Sequence, residues 1–492
     1  MIRGLIRIVI VLAVVIVFAV VGIRFALAPP VPLAVPLPGV VLSDVTVVNP
    51  GAGKRAKQTV VVRGVKIDAI RESRPDEDGG RAAEGFAGSY VLPGLVDMHV
   101  HHPPGESALD TQLFALLFLA HGVTVRDTGN LDRGIFQTRR QIEQAQFPGP
   151  RIFTCGAILD GDPPIWSGSR IVTTPAEAKQ AVDEADAAGA DCIKIYSRLS
   201  GEALAAVRAA ALERDLPVIG HVPFWVKFED ARLFDVQHLT GVPESAPMWS
   251  WVNPNPFDWI AAVAADFQHT GEGRIDLVVK TSAEQGIAHT PTLVMWDRMS
   301  KLADYASELA DPAAGLLPAY WRNLIWNPEL GLSTRESSRA SFSALGAQLP
   351  KIHGIVRRLH EAGVRIHAGT DTMMSFVVPG ASLHEELELL VDSGFSAEEA
   401  WSTATRVAGE SLGEAPLGVL ENDAPADFLI FKEDPTVSLA ALSTLQAVVA
   451  QGRLYRRETL QAAIARYRER FESPLYDTVA TWLSRLRLYL SR

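Results

Sequence analysis

The chain has 492 residues, of which 48% are hydrophobic and 21% charged, and its formal net charge is -11 at pH 7. This composition is typical of a folded enzyme with a large core and excludes an intrinsically disordered chain. The acidic balance, without a long run of Lys or Arg, argues against nucleic acid as a partner. Two cysteines, Cys155 and Cys192, are too few for a disulfide framework. Both are expected simply to pack in apolar strands, so they say little about the cellular compartment.

The N-terminal residues 1–28 are typical of a membrane-targeting segment. An apolar run from Ile8 to Ile23 has arginines on both sides, and the longer stretch from Leu5 to Leu27 reaches the roughly 20 residues that span a bilayer. The segment is expected to be a transmembrane anchor, or a signal peptide that is cut after the small residues 26–28. The catalytic part is then expected to be exported to the periplasm or the exterior, and to be secreted if the segment is cleaved.

Proline-rich residues 29–38 follow as an extended spacer. Short Val- and Ile-rich segments, separated by Gly, Asn and Pro, fill residues 39–90 and again 413–456. These two flanks are expected to form the first and second parts of one small composite β-sandwich. Residues 457–492 are predicted to be helical and to end in an amphipathic helix, which packs on the protein itself, on a second copy of the chain, or on a lipid surface.

The middle of the chain, residues 91–412, alternates short apolar strands with helical stretches rich in Ala, Leu and Glu. The eight strand candidates are "LVDMHVH", "GVTVRDTG", "RIFTCGA", "CIKIYS", "PVIGHVP", "DVQHLTG", "IAHTPTL" and "VRIHAGTD". Eight such units predict an α/β fold, a (β/α)8 TIM barrel, whose chemistry is found at the C-terminal ends of the strands.

Several of these strands end in residues that bind metals. His99 and His101 are two apart in the first strand, and therefore on the same face. The remaining candidates at strand ends are Lys194, His221, His238 and Asp371, on strands four, five, six and eight. Imidazole and carboxylate ligands around one opening predict a catalytic site for zinc or a similar divalent metal.

These segments resemble the amidohydrolase superfamily, and specifically its metal-dependent peptidase and prolidase-like branch, which includes imidazolonepropionase-like proteins. The resemblance extends over the whole barrel, and "PLGVLENDAPADFLIF" resembles the return of that family to its β-sandwich. It implies two divalent metal ions, with zinc expected. One ion is held by His99, His101 and Asp371, the second by His221 and His238, and a carboxylated Lys194 bridges them.

The expected chemistry is hydrolysis of an amide bond. A buried lysine favours its neutral amine, which can add carbon dioxide. Two metal ions make hydroxide available near neutral pH, and Asp371 is expected to pass the proton of the water to the departing amine. A dipeptide or an N-acyl amino acid is the expected substrate, as for a prolidase or carboxypeptidase. Tyr196, beside Lys194, and the loop tryptophans are candidates for substrate contact, namely Trp166, Trp225, Trp249 and Trp251.

Other functions remain open at this stage. A deaminase of the superfamily usually has a glutamate three residues after the histidine of strand five, where this chain has Phe224. A lactonase on the same scaffold is compatible with the sequence. A barrel without catalysis is disfavoured because the whole ligand set is present. A homo-oligomer is a further possibility.

Overall fold

The computed structural model of the protein describes residues 16–18, 20–74, 83–103, 107–129, 134–243, 258–414 and 416–490. The strands outside the barrel are β1 (Val40–Asn49), β2 (Gly53–Arg63), β3 (Lys66–Glu72), β4 (Tyr90–Pro93), β9 (Arg170–Ile171), β14 (Phe428–Phe431), β15 (Leu445–Ala450) and β16 (Arg453–Arg456). The barrel strands are β5 (Leu95–Val100), β6 (Val123–Asp127), β7 (Ile152–Thr154), β8 (Ile158–Asp160), β10 (Ile193–Ile195), β11 (Val218–Gly220), β12 (Asp235–Gln237) and β13 (Ala288–Thr290).

Helices alternate with the barrel strands. They are α1 (Ala108–Ala120), α2 (Gly134–Glu143), α3 (Pro175–Ala188), α4 (Gly201–Leu212), α5 (Phe228–Ala231), α6 (Trp259–His269), α7 (Glu272–Gln285), α8 (Leu293–Lys301), α9 (Tyr305–Leu309), α10 (Arg339–Gly346), α11 (Leu349–Glu361), α12 (Ala381–Asp392), α13 (Ala397–Thr403), α14 (Arg406–Ser411), α15 (Arg457–Phe471) and α16 (Pro474–Leu490). Short 3-10 turns cover Leu302–Asp304, Pro312–Leu316 and Leu439–Thr444, and a π-helical turn covers Trp321–Ile325.

Local sequence explains where such helices begin and end. In α3, Thr174 and Glu177 form a capping box, in which each side chain accepts a hydrogen bond from the backbone N–H of the other residue. Proline follows at the first helical position, where its missing N–H has no cost. Gly189 ends the helix in the left-handed conformation, which glycine adopts without a steric penalty.

The barrel strands form a ring of eight parallel positions. The strands β5, β6 and β7 pair in order, and β8 continues the third position and pairs with β10, after which β11, β12 and β13 follow. Residues 364–372 supply the eighth position, where Ile366 bridges to His289 and Thr372 bridges to Val100. The α/β part of the predicted fold therefore agrees with the structure.

The two flanks of the chain combine, but as one sheet. A single seven-stranded sheet has the order β16-β15-β14-β4-β1-β2-β3, where two facing sheets of a sandwich were expected. Its strands alternate between two cores with the period of two that strand geometry imposes. In β14, Phe428 and Ile430 pack with the flanking strands, whereas Leu429 and Phe431 pack against the barrel. One sheet is sufficient because the barrel covers its second face.

The prediction of an N-terminal transmembrane segment is wrong for the described part of the chain, where no helix is long and apolar enough to cross a membrane. Among the described residues of this segment, 16–18 and 20–27 are helical. Arg470 donates hydrogen bonds to the carbonyls of Phe25 and Ala26, at 2.7 and 2.9 Å. Residues 1–15, which contain much of the apolar run, lie outside the described residues. The membrane-anchored localisation predicted from this segment therefore loses its support.

The prediction that the two cysteines merely pack is also wrong. Cys155 and Cys192 form a disulfide, with their Cα atoms 4.4 Å apart. The pair joins the third barrel position, between β7 and β8, to the residue before β10. Neighbouring parallel strands bring the two side chains to the same height, although 37 residues separate them along the chain.

Candidate metal centre

Three of the predicted ligands meet at the C-terminal end of the barrel. His99, His238 and Asp371 are buried, and each offers a ligand atom within 4.8 Å of the others. Asp371 Oδ1 lies 3.3 Å from Nε2 of His99 and 3.3 Å from Nε2 of His101. Its second oxygen, Oδ2, lies 3.9 Å from His238 Nε2. The carboxylate of Asp371 is therefore at the centre of the histidine cluster.

His221 completes the cluster on the side of β11. Its ring centroid is 5.1 Å from that of His238, and Tyr196 stacks on it at 4.0 Å. The Nε2 atom of His221 is buried and has no hydrogen-bond partner among the described residues. Because an unpaired buried nitrogen is costly, this atom is suited to bind a ligand that is not part of the chain.

The opposite ring nitrogens are fixed by hydrogen bonds. The Nδ1 atom of His101 lies 2.6 Å from the Gly129 carbonyl oxygen, to which it donates. His238 Nδ1 lies 2.7 Å from Thr292 Oγ1, and this hydroxyl donates its own proton to the Pro291 carbonyl, so that it accepts from His238. His221 Nδ1 contacts Ser197 Oγ at 2.8 Å. With Nδ1 protonated, the Nε2 lone pairs of His101 and His238 point towards Asp371, as metal ligation requires.

Lys194 lies in the middle of β10 and is completely buried. Its ammonium nitrogen contacts Gln237 Oε1, and no ion pair joins it to a carboxylate among the described residues. Burial lowers the pKa of Lys194 to about 7, against the opposing attraction of Asp371. The amide nitrogen of Gln237 is also buried without a partner in the described part of the chain. A neutral amine beside an unused N–H donor is a suitable place for a carboxylated lysine.

Electrostatics keep three of the histidines neutral and the carboxylate charged. For His101, burial alone would lower the pKa, but the hydrogen bond and the charge of Asp371 outweigh burial and raise it. Burial lowers the pKa of His238 to about 4 and holds those of His99 and His221 well below their usual range. For Asp371, burial alone would raise the pKa, but the attraction of His238 and His99 outweighs burial and holds the pKa well below its usual value. Neutral imidazoles and an ionised carboxylate are the protonation states that bind a divalent cation.

A family model described as the amidohydrolase family matches residues 90–242 and 338–455, which together are more than half of the chain. The chain belongs to the amidohydrolase family. It is therefore a hydrolase that acts on carbon–nitrogen bonds of small molecules. This match confirms the family resemblance predicted from the sequence. The matched residues include all six predicted metal ligands.

Relatives of this amidohydrolase include uncharacterized proteins of Mycobacterium tuberculosis (strain ATCC 25618 / H37Rv) and Mycobacterium bovis. Each is 24% identical over 374 residues, which are 75% of this chain and 86% of the relative.

Solved structures with the same fold include a bottromycin amidohydrolase, with a TM-score of 0.68, 22% identity, and coverage of 92% of this chain and 93% of that one. A Xaa-Pro dipeptidase with bound methionine in its active site gives a TM-score of 0.60 at 19% identity, covering 85% and 100% of the two chains. A putative prolidase from Bifidobacterium longum gives a TM-score of 0.61 at 24% identity, and the match covers 88% of this chain and 99% of that one. Because all three sequence identities are below 25%, the similarity to these structures shows a shared fold only.

The two predicted substrate contacts of the amidohydrolase lie in different surroundings. Tyr196 is at the cluster, where Trp166 Nε1 donates a hydrogen bond of 3.0 Å to its hydroxyl. Trp225 is 54% exposed and lines a cavity of about 320 Å³ beside the loop that follows His221. Trp249 and Trp251 lie outside the described residues.

Sequence reasoning did not identify the residues that orient these ligands. Ser197, Gln237 and Thr292 are common residue types in strands and turns, and nothing in their spacing sets them apart. One available signal was position, because Gln237 ends a barrel strand and Ser197 and Thr292 each lie two residues after one. The structure adds the information that their polar atoms face the cluster.

Proposed function

We propose that this amidohydrolase hydrolyses an amide bond in a small substrate, a dipeptide or an N-acyl amino acid, with two divalent metal ions, zinc being the expected metal. The observation that supports it best is the arrangement of the imidazole nitrogens around Asp371. Three imidazoles have their outer nitrogens fixed by Gly129, Ser197 and Thr292. The inner nitrogens of His101 and His238 face the carboxylate of Asp371, and that of His221 is buried without a partner among the described residues. The side chains thus fit a metal pair.

The proposed ligands divide into two groups and a bridge. His99, His101 and Asp371 would hold one ion, and His221 and His238 the other. Lys194 would bridge the two ions as its carbamate, which forms with release of a proton when the neutral amine adds carbon dioxide. The unpaired amide N–H of Gln237 is suited to donate a hydrogen bond to that carbamate. When bound, the ions supply a deprotonated water near neutral pH and a Lewis acid for the carbonyl oxygen.

Asp371 is proposed to move the proton that hydrolysis requires. Its carboxylate is ionised, lies within reach of the histidine cluster and is 6% exposed, so that a water at the cluster can pass it a proton. The protonated Asp371 then delivers this proton to the nitrogen of the departing amine, which could not leave as an amide anion. Tyr196 and Trp225 are proposed to contact the substrate on the side of β10 and β11.

The decisive experiment replaces the bridging lysine. In Lys194→Ala we expect the metal content to fall from about two ions per chain and hydrolysis of dipeptides to be lost, with partial recovery of both on addition of short carboxylic acids. Lys280→Ala, at a lysine whose side chain is 71% exposed, is the matched control and should retain metal and activity. Metal content is measured by elemental analysis, and substrates are screened as dipeptides and N-acyl amino acids.

Full metal content and full activity in Lys194→Ala would contradict the bridging role. A purified protein without metal affinity would contradict the whole proposal. If the protein hydrolyses lactones and is inactive on every amide, the proposed substrate is an ester and not an amide. The proposed metal centre would then still stand.

A further inference from the structure

The loop after the eighth barrel position has an unusual backbone. Asp371, Met373 and Phe376 have φ angles of 62°, 93° and 60°, and all three carry side chains. In this left-handed region the Cβ atom crowds the neighbouring backbone, so residues other than glycine are rarely found there. Such a conformation persists where the surroundings hold it in place.

The first part of this loop is held by the barrel. The N–H of Asp371 donates to the His99 carbonyl at 2.8 Å, and the N–H of His101 donates to the Thr372 carbonyl at 3.3 Å. The hydroxyls of Thr370 and Thr372 are also in hydrogen-bond contact, at 2.8 Å. The first two contacts tie the backbone at Asp371 to β5, and the contacts with β5 end at Thr372. Beyond it, the N–H groups of Met374 and Val377 donate within the loop, to the carbonyls of Asp371 and Met374, at 3.1 Å each.

The next part is held by a tryptophan from a different region. Trp326 lies in the long segment between β13 and α11, and its indole N–H donates to the carbonyl oxygen of Met373 at 3.2 Å. The Trp326 ring also packs on Phe376, with centroids 5.1 Å apart. Both side chains are only 1% exposed. One buried indole thus contacts two of the three residues with positive φ.

Trp326 is itself held in a larger aromatic cluster. Its ring lies 5.8 Å from that of Trp321, which in turn lies 5.5 Å from Phe114 on α1. Tyr305 contacts Phe376 from another direction, at 5.9 Å. A side chain wedged among such partners cannot easily change rotamer, because protein cores are closely packed. The indole is therefore a rigid support for the loop.

We propose that Trp326 is a positioning residue for Asp371: its hydrogen bond to Met373 and its contact with Phe376 fix the loop, so that the Asp371 carboxylate faces the histidines. The inference rests on the proposed metal binding, since it gives Trp326 a role in the affinity of that site. It also gives the segment between β13 and α11 a role at the site.

The test is Trp326→Phe, which removes the N–H donor and retains an aromatic ring. Trp259→Phe is the matched control, because the Trp259 N–H also donates to a backbone carbonyl, that of Ser333 at 2.5 Å, away from the Asp371 loop. Zn²⁺ affinity is measured by competition with a chromophoric chelator, and hydrogen–deuterium exchange is measured on metal-free protein. We expect Zn²⁺ to bind at least about tenfold more weakly to Trp326→Phe, and residues 372–377 to exchange faster, while Trp259→Phe matches the wild type in both.

Wild-type Zn²⁺ affinity and wild-type exchange of residues 372–377 in Trp326→Phe would overturn the inference. If that variant does not fold, Phe376→Leu takes its place, since it keeps the Met373 hydrogen bond and removes the ring contact. Zn²⁺ affinity and the exchange of residues 372–377 then decide in the same way. If the wild-type protein binds no Zn²⁺, the proposed function fails, and the exchange of the metal-free variants alone decides whether Trp326 positions the loop.

Discussion

Asp371 is the residue on which both proposed tasks of the site depend, metal binding and proton transfer. Its two oxygens face different histidines, Oδ1 towards His99 and His101 and Oδ2 towards His238. The surrounding imidazoles keep the pKa of Asp371 well below its usual range despite burial. An ionised oxygen is therefore available to accept a proton from water.

The variant Asp371→Asn separates these tasks. The amide retains the shape and a weaker oxygen ligand but cannot accept a proton, so we expect amide hydrolysis to fall by at least about 10² to 10⁴-fold. Substrates with better leaving groups need less protonation of the departing atom, and activated esters should therefore lose much less rate than amides. The measurement compares kcat for an ester series and an amide series at confirmed metal content. Equal losses for both series, with the metal still bound, would contradict proton delivery by Asp371.

At this scale the sequence predicted the residues of the buried cluster but not the side chains that support them. His99, His101 and Asp371 could be found because a strand fixes the direction of alternate side chains and a barrel brings strand ends together. Ser197 and Thr292 could not be found, since a hydroxyl near a ligand in sequence has no pattern that distinguishes an orienting contact from an exposed one. Their roles depend on distances between strands, which only the folded chain determines.

Among the elements, the contact between β10 and β11 decides how two proposed ligands approach each other. Lys194 pairs with Ile219, and Ile195 pairs with Gly220, which directly precedes His221. Gly220 has a φ of 134°, and a Cβ atom there would collide with the carbonyl oxygen of Ile195. A glycine is therefore required at this point of the strand pair, one residue before a proposed ligand.

We predict that Gly220→Ala lowers the free energy of unfolding by about 2 to 4 kcal/mol, because the backbone of β10 or β11 must move. The displacement should also weaken metal binding through His221. The matched control is Gly354→Ala in α11, where a Cβ atom meets nothing within 4 Å and helix propensity should raise stability by about 0.5 to 1 kcal/mol. Urea denaturation measures both. A Gly220→Ala protein as stable as the wild type would show that the strands have room for a side chain.

Two of the elements that the sequence mispredicted depend on distant partners. The disulfide joins Cys155 and Cys192 across neighbouring strands, and a separation of 37 residues has no local signature. The flanking strands were assigned to a sandwich because their apolar alternation requires a covered face, and the structure covers that face with the barrel instead. The apolar run near the N-terminus matched the composition of a membrane span, whereas the described part of the chain contains no helix long and apolar enough to cross a bilayer.

At the scale of the whole molecule, burial of many titratable groups couples stability to pH. The pKa of His238 is lowered to about 4 by burial, while a histidine in an unfolded chain titrates near 6.5. Between these two pH values the unfolded chain takes up a proton that the folded metal-free protein does not, so His238 destabilises the fold progressively as pH falls from about 6.5 to 4. His99 and His221 act in the same direction, since burial also lowers their pKa values.

Two buried carboxyl groups act in the opposite direction. Burial raises the pKa of Asp97 to about 7 and that of Glu386 to about 8. The folded protein binds protons on these groups at a pH where the unfolded chain has already lost them, so both stabilise the fold as pH falls towards their ordinary values. The net pH dependence of stability is therefore the sum of opposing contributions, and the part due to a histidine must be isolated by difference.

The contribution of His238 to the pH dependence of stability can be isolated with the variant His238→Gln in metal-free protein. The glutamine cannot titrate, so we expect the free energy of unfolding to fall less steeply between pH 6.5 and 4 in this variant than in the wild type, by an amount of order 1 kcal/mol or more. His269→Gln, at an exposed histidine of α6, should retain the wild-type slope. Urea denaturation at half-unit pH intervals gives the three curves. Parallel curves for His238→Gln and the wild type would show that His238 accepts a proton in the folded state as readily as in the unfolded chain, and that the site does not hold it neutral for metal binding.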